Sequence, residues 1–192
     1  LNEGVDNHKK QVVSGLILRA ILNGRIFGRG IDTFIDGGNY NSARALKYYS
    51  KLLGVKGAYV MSRLFLQKPE ILDELRSDNF EVIIAPCVEG KSIEREFYEH
   101  LFELMKDKSF GRGKVCLWHA KYGGRVMYPF GREIAKQLEE SPDYVVSCLG
   151  AGSTLEGVQI PIQDHFKERK SKKFPSIILA EHELSPLFSR FL

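Results

Sequence analysis

The stretch DYVVSCLGAGSTLEGV, Asp143–Val158, decides how the rest of the chain is read. An apolar run from Tyr144 to Leu149 meets a tight Gly-Ala-Gly-Ser-Thr bend, and a helical pattern follows from Thr154. That is a strand, a turn and a helix with no residues to spare. Glycines allow backbone amides to approach an anion closely and to take positive φ. A helix starting just beyond them aims its free N–H groups and the positive end of its dipole at the same point. Ser153 and Thr154 add hydroxyls. The bend therefore suits a phosphate, although a strand-to-helix turn that needs glycine only for its geometry would use the same residues.

Outward from this unit the same pattern repeats. VVSGLILRAIL (Val12–Leu22) is apolar on most sides and reads as a buried helix. IDTFID is strand-like, and SARALKYYSKLLG places Ala45, Leu46, Tyr49, Leu52 and Leu53 on a helix that Gly54 should stop. GAYVMS, EVIIAP, KVCLWHA and PSIILAEH read as strands. KPEILDELRS, Ser92–Lys106 and GREIAKQLEES read as helices. Phe97, Leu101, Leu104 and Met105 share one face of the second of these. Strands that are continuously apolar and separated by helices imply parallel pairing with helices on both faces. The expected fold is α/β, three-layer α/β/α with mostly parallel sheets, in two subdomains, residues 1–111 and 112–192, with a site between them. In such sheets ligands bind beyond the carboxyl ends of the strands. The turns DGGNYN (Asp36–Asn41) and LGAGST (Leu149–Thr154) are therefore the places for chemistry.

Composition narrows the classes. The 192 residues are 43% hydrophobic and 27% charged, so one large core or two small ones can be buried. The net charge of +4 is scattered apart from a Lys/Arg cluster at Lys167–Lys173, which reads as a solvated helix end rather than an organised nucleic-acid face. Cys87, Cys116 and Cys148 are odd in number and lack CxxC spacing, which argues against a disulfide framework or a zinc site. Cys116 and Cys148 lie in apolar runs and read as buried thiols. His119, His165 and His182 have no metal-ligand spacing, so no metal is expected. No apolar run is long enough for a membrane span, and no signal-peptide core is visible at the first residues. A cytoplasmic protein is expected, with no nucleic-acid or membrane partner.

The glycine bend is neither a dinucleotide fingerprint nor a Walker loop: Gly150, Gly152 and Gly157 miss the G-x-G-x-x-G spacing, and no Gly-Lys-Ser/Thr follows. SPDYVVSCLGAGSTLEGV instead resembles the phosphate-cup segment of the pyridoxal-phosphate enzymes of the tryptophan synthase β-subunit type, the superfamily of cysteine synthase and threonine dehydratase. YPFGREIAKQL upstream and PSIILAEHELSP downstream are similar to the segments flanking that cup. GGNYNSARALKYYSKLLGVKGAYVMS is similar to the family's asparagine turn, its Ala-rich helix and the strand beyond. NHKKQVVSGLILRA resembles the segment in which a lysine opens a helix. The resemblance spans about residues 4 to 187.

It implies a pyridoxal 5′-phosphate enzyme of amino-acid metabolism, a lyase or β-replacement enzyme. Lys9 would be the catalytic lysine, with Lys10 its rival. Asn41 would contact the cofactor's phenolic oxygen, with Asn39 the alternative, and Gly150, Ala151, Gly152, Ser153 and Thr154 would hold the phosphate. His8 is a further candidate contact, and Glu133 reads as structural. The departure from the pattern is Asn39-Tyr40, where Ser-Gly is usual. No residue can be assigned to the pyridine nitrogen, and the chain is expected to be a part of the family's usual length. The partners implied are a small amino-acid substrate and a second copy of the chain in a homodimer. A catalytically inactive relative acting as a binding or regulatory module, and a nucleotide-binding α/β domain, are the competing functions.

Overall fold

The structure, a computed structural model, describes residues 8–23, 30–87, 93–107, 113–148, 150 and 152–180. They divide into two compact units, Leu1–Trp118 and His119–Leu192.

The first unit is built on four parallel strands: β1 (Thr33–Gly38), β2 (Lys56–Met61), β3 (Phe80–Ile84) and β4 (Lys114–Cys116), in the spatial order β3-β2-β1-β4. Helices α1 (Lys9–Leu22), α2 (Tyr40–Leu53), α3 (Pro69–Leu75) and α4 (Ile93–Lys106) accompany them, with a 3₁₀ turn at Arg63–Gln67. The burial of β1 and β2 is continuous, as expected for strands covered on both faces. Ile35, Ala58, Val60 and Cys116 form one cluster with Phe97 and Leu101 of α4, and Leu104 and Met105 pack against it. The helical face read from the sequence is thus the face that meets the sheet. Strand alternation turns Phe34, Asp36, Tyr59 and Met61 to the opposite side. Gly54 ends α2 in the left-handed conformation at φ 65°, its N–H bonding back to the Ser50 and Lys51 carbonyls. Pro69 opens α3, where its missing N–H costs nothing.

The second unit holds α5 (His119–Val126), α6 (Tyr128–Gln137), β5 (Tyr144–Cys148), α7 (Ser153–Glu168) and β6 (Ser176–Ala180). β5 and β6 pair in parallel, Tyr144 opposite Ser176 and Cys148 opposite Ala180. Ala135, Ile162 and Phe166 form its core, with Val145 and Val158 packed against them.

Three sequence expectations change. KVCLWHA is a strand only as far as Cys116; Trp118 takes a φ of 56°, which turns the chain, and His119 begins a helix. That helix, α5, was not legible because Gly123-Gly124 lies inside it, and glycine disfavours a helix interior by about 1 kcal/mol each. Cys148 is exposed rather than buried, unlike Cys116. Its strand alternates exposed and half-buried residues, and Cys148 shares the outward side with the exposed Tyr144 and Val146. Among the described residues, no helix is long and apolar enough to cross a membrane.

Candidate functional site

The first unit carries the amine and the asparagine turn. Lys9 is the first residue of α1 and is only 9% exposed, beside the buried Val12 and Val13. Burial removes water from the ammonium and lowers its proton affinity below that of an ordinary lysine. Lys10, one residue on, points elsewhere: its Nζ lies 4.6 Å from the centre of the Tyr48 ring, a cation–π pairing with α2. His8 is exposed, its carbonyl accepts the Gln11 and Val12 N–H groups, and partial burial together with the neighbouring Lys9 charge lowers its pKa.

β1 runs out through Gly37-Gly38 into α2. Asp36 Oδ1 accepts the Gly37 N–H at 2.9 Å, so the first peptide of the exit is fixed by a buried carboxylate. A Cβ on Gly37 would sit tightly against the Val60 carbonyl, at 3.3 Å. Asn39 is the N-cap of α2: its side-chain oxygen accepts the Ser42 N–H at 3.1 Å and the Ser42 hydroxyl at 3.2 Å. Asn41 stands on the first turn of the helix, exposed, with no side-chain hydrogen bond among the described residues. Both asparagines are exposed but used differently, Asn39 bonded to the helix end through Ser42 and Asn41 on the first turn beyond it.

Tyr40, between them, is taken up by α3. Its hydroxyl hydrogen-bonds the Glu74 carboxylate, the Arg44 guanidinium lies 5.5 Å from its ring centre, and Arg44 Nε reaches Glu74 at 2.9 Å. Lys47 Nζ donates to the Glu74 carbonyl at 2.5 Å. The bulk of Tyr40 is thus held on a lateral ion-pair network. Some burial, then the bond to Glu74, raises the Tyr40 pKa.

The second unit carries the glycine bend. Gly152 caps α7 in the left-handed region, φ 74° and ψ −11°, so glycine is needed there for its backbone and not for space: a Cβ would meet nothing within 4 Å. Gly150 is equally open. Ala151 lies outside the described residues. Ser153 opens α7 and is 3% exposed; its hydroxyl donates to the His119 carbonyl at 3.2 Å. The hydroxyl is therefore committed to the start of α5, and what Ser153 offers a ligand is its backbone N–H. Thr154, half-buried, follows it on the first turn.

Glycines set the start of α7 against its neighbours. A Cβ on Gly123 would lie 2.7 Å from Ser153 Oγ, and one on Gly131 would lie 2.1 Å from the Gly157 carbonyl oxygen. A Cβ on Gly157 would in turn meet Met127 Cβ at 2.2 Å. So α5, α6 and α7 approach to backbone contact. The residues responsible were missed in the sequence apart from the Gly131-Arg-Glu-Ile segment, and the Gly123-Gly124 pair was the signal available.

Lys9, Asn39 and Asn41 thus belong to the first unit and Gly150, Gly152, Ser153 and Thr154 to the second. Each set lies on a strand-to-helix or helix-opening segment.

The chain matches no protein-family model and no curated protein. Solved structures do share its fold. A hydrogen sulfide-producing enzyme superposes with a TM-score of 0.74 at 19% identity, over 96% of this chain and 53% of that one. O-ureido-L-serine synthase gives 0.71 at 14% identity, over 97% and 54%. Cysteine synthase from Entamoeba histolytica gives 0.61 at 21% identity, over 87% and 46%. The chain spans about half the length of these enzymes, and over that half it has their α/β fold.

Proposed function

We propose that the chain binds pyridoxal 5′-phosphate and works on a small amino acid as a lyase or β-replacement enzyme of the cysteine synthase kind. The observation that carries this reading is Lys9: a buried amine of lowered proton affinity opening a helix, in the segment where the resemblance expects the cofactor's lysine. An amine must be neutral to attack an aldehyde, and burial shifts the balance toward that form. The likeness to the hydrogen sulfide-producing enzyme, O-ureido-L-serine synthase and cysteine synthase supports the same class.

The residues present fit the cofactor. Lys9 would hold its aldehyde end, Asn41 would donate to the ring oxygen, and the bend at Gly150–Thr154 would bind the phosphate. Gly152 and the first turn of α7 supply unpaired N–H groups and the positive helix end for a dianion. Thr154 adds a hydroxyl, and Ser153 adds its backbone N–H while its side chain pins the bend to His119. When bound, the cofactor supplies an electron sink for negative charge at the substrate's α-carbon. In its unprotonated form Lys9 Nζ would have a lone pair with which to take the proton from that carbon and return it later.

Titration of the purified protein with pyridoxal 5′-phosphate tests the reading. A new visible absorbance band that is absent in Lys9→Ala, and that shifts when an amino acid is added, is the expected result. A folded protein that stays colourless contradicts it. A band that no amino acid shifts leaves a binding module in place of an enzyme.

A further inference from the structure

We propose that Arg63, held by the buried carboxylate of Glu96, is the group that receives the carboxylate of the amino-acid substrate. The inference rests on the reading of the chain as an enzyme of small amino acids and names a substrate contact that this reading does not supply.

The register of the sheet places Arg63. β1 and β2 run parallel, and their pairing ends with Gly38 beside Met61. The next residues are Asn39 after the one strand and Ser62 after the other, and Arg63 follows Ser62. Arg63 therefore leaves β2 at the same edge from which the asparagine turn leaves β1. That is the carboxyl edge, where parallel sheets bind their ligands. The turn after β2 is fixed by its own hydrogen bonds. The buried Ser62 accepts the Leu64 N–H on its side chain at 3.2 Å and the Phe65 N–H on its carbonyl at 3.1 Å. α4 reaches the same exit, since a Cβ on Gly37 would lie 3.5 Å from Phe97 Cδ2, and Glu96 is the residue before Phe97.

Glu96 is out of place by composition. It is buried on a helix whose inward Phe97 and Leu101 are apolar. A carboxylate is costly to bury unless a cation stands near it. Arg63 supplies that cation, its Nε 3.5 Å from Glu96 Oε2. The two side chains differ in exposure, 1% for Glu96 against 45% for Arg63. The guanidinium thus joins a buried acid to the surface at the ligand edge. It carries five N–H donors in a planar fork. Nε is the nitrogen nearest Glu96, which leaves N–H groups of the two terminal nitrogens for a second planar acceptor. A carboxylate matches that fork, and arginine keeps its charge throughout the working pH range. Arg44 and Lys47, the first cations of α2 beyond the asparagine turn, already meet Glu74. Arg63 is the cation left to face a substrate anion beside that turn.

The test compares L-serine with 2-aminoethanol, the same amine without the carboxylate, in the full chain loaded with pyridoxal 5′-phosphate. Wild type should respond to L-serine, read as the shift of the visible band, at far lower concentration than to 2-aminoethanol. Arg63→Met should weaken L-serine roughly ten- to a hundredfold, the span of a hydrogen bond to a charged group, while leaving 2-aminoethanol and the cofactor affinity unchanged. The double variant Arg63→Met/Glu96→Gln leaves no buried charge unpaired and should behave the same, so misfolding of the single variant does not spare the proposal. A second measurement needs no cofactor: the Arg63 Nε–H nuclear magnetic resonance signal, identified by its loss in Arg63→Met, should move saturably with L-serine and not with 2-aminoethanol. An L-serine preference that survives Arg63→Met overturns the proposal, as does an Nε–H signal that L-serine leaves in place. A wild type that never binds the cofactor refutes the proposed function instead, and the resonance titration still judges Arg63 by itself.

Discussion

At the residue scale, the account turns on two adjacent lysines and two nearly adjacent asparagines. Neighbours on a helix point about 100° apart, so Lys9 and Lys10 cannot both face inward, and the sequence alone left the choice open. The structure separates them: burial takes Lys9, and the Tyr48 ring takes Lys10. Asn39 and Asn41 are both exposed, but Asn39 caps α2 through Ser42 while Asn41 stands on the first turn. Ser153 was legible as a bend residue, but the commitment of its hydroxyl to the His119 carbonyl was not, since the helix at His119 was itself hidden. For Lys9, the folded-state pKa lies below the unfolded value of 10.5. Below the folded pKa both states hold the proton, and between the two values the unfolded chain holds more of it. The wild type therefore gains stability as pH rises through the folded value toward the unfolded one. Without cofactor, the stability of the wild type relative to Lys9→Met should rise as the solution becomes alkaline. Thermal melts across that range check this; a difference between the two that does not change with pH contradicts it. Ser153→Ala, which leaves a buried carbonyl without this donor, should lose about 1–3 kcal/mol in urea denaturation.

At the element scale, what was legible obeyed simple local rules. Gly54 stopped α2 where a left-handed residue was needed, Pro69 opened α3, and the apolar side of α4 met the sheet. What was hidden depended on contacts between elements. Gly123, Gly131 and Gly157 lie in helices against their own propensity because other atoms occupy the place of a side chain: Ser153 and His119 side chains at Gly123, the Gly157 carbonyl at Gly131, and Met127 Cβ at Gly157. The end of β4 was hidden because Trp118 adopts a left-handed φ that no local pattern announces; its ring packs at 4.7 Å on Phe102. A Cβ on Gly131 cannot be absorbed cheaply, since it meets a carbonyl oxygen at 2.1 Å and Pro161 Cγ at 2.9 Å. Gly131→Ala should therefore destabilise by about 1–3 kcal/mol. Gly150→Ala, facing open space with no positive φ, should stay within about 0.5 kcal/mol. Equal effects of the two in urea melts would mean that close helix packing does not set the start of α7.

At the scale of the whole molecule, strand and helix alternation was enough to specify parallel α/β units, because continuous apolar strands can be buried only under helices on both sides. That holds for β1 and β2; β5 and β6 alternate in exposure, and their outward side could not be told from the apolar runs Tyr144–Cys148 and Ser176–Ala180. At this scale the proposed function is tested through Lys9. The most direct measurement is borohydride reduction of the protein mixed with pyridoxal 5′-phosphate, followed by peptide mapping in a mass spectrometer. The account predicts one stoichiometric phosphopyridoxyl group, on Lys9, lost when inorganic phosphate competes at high concentration. Labelling of Lys10 or scattered surface lysines, or no stoichiometric label at all, would contradict it.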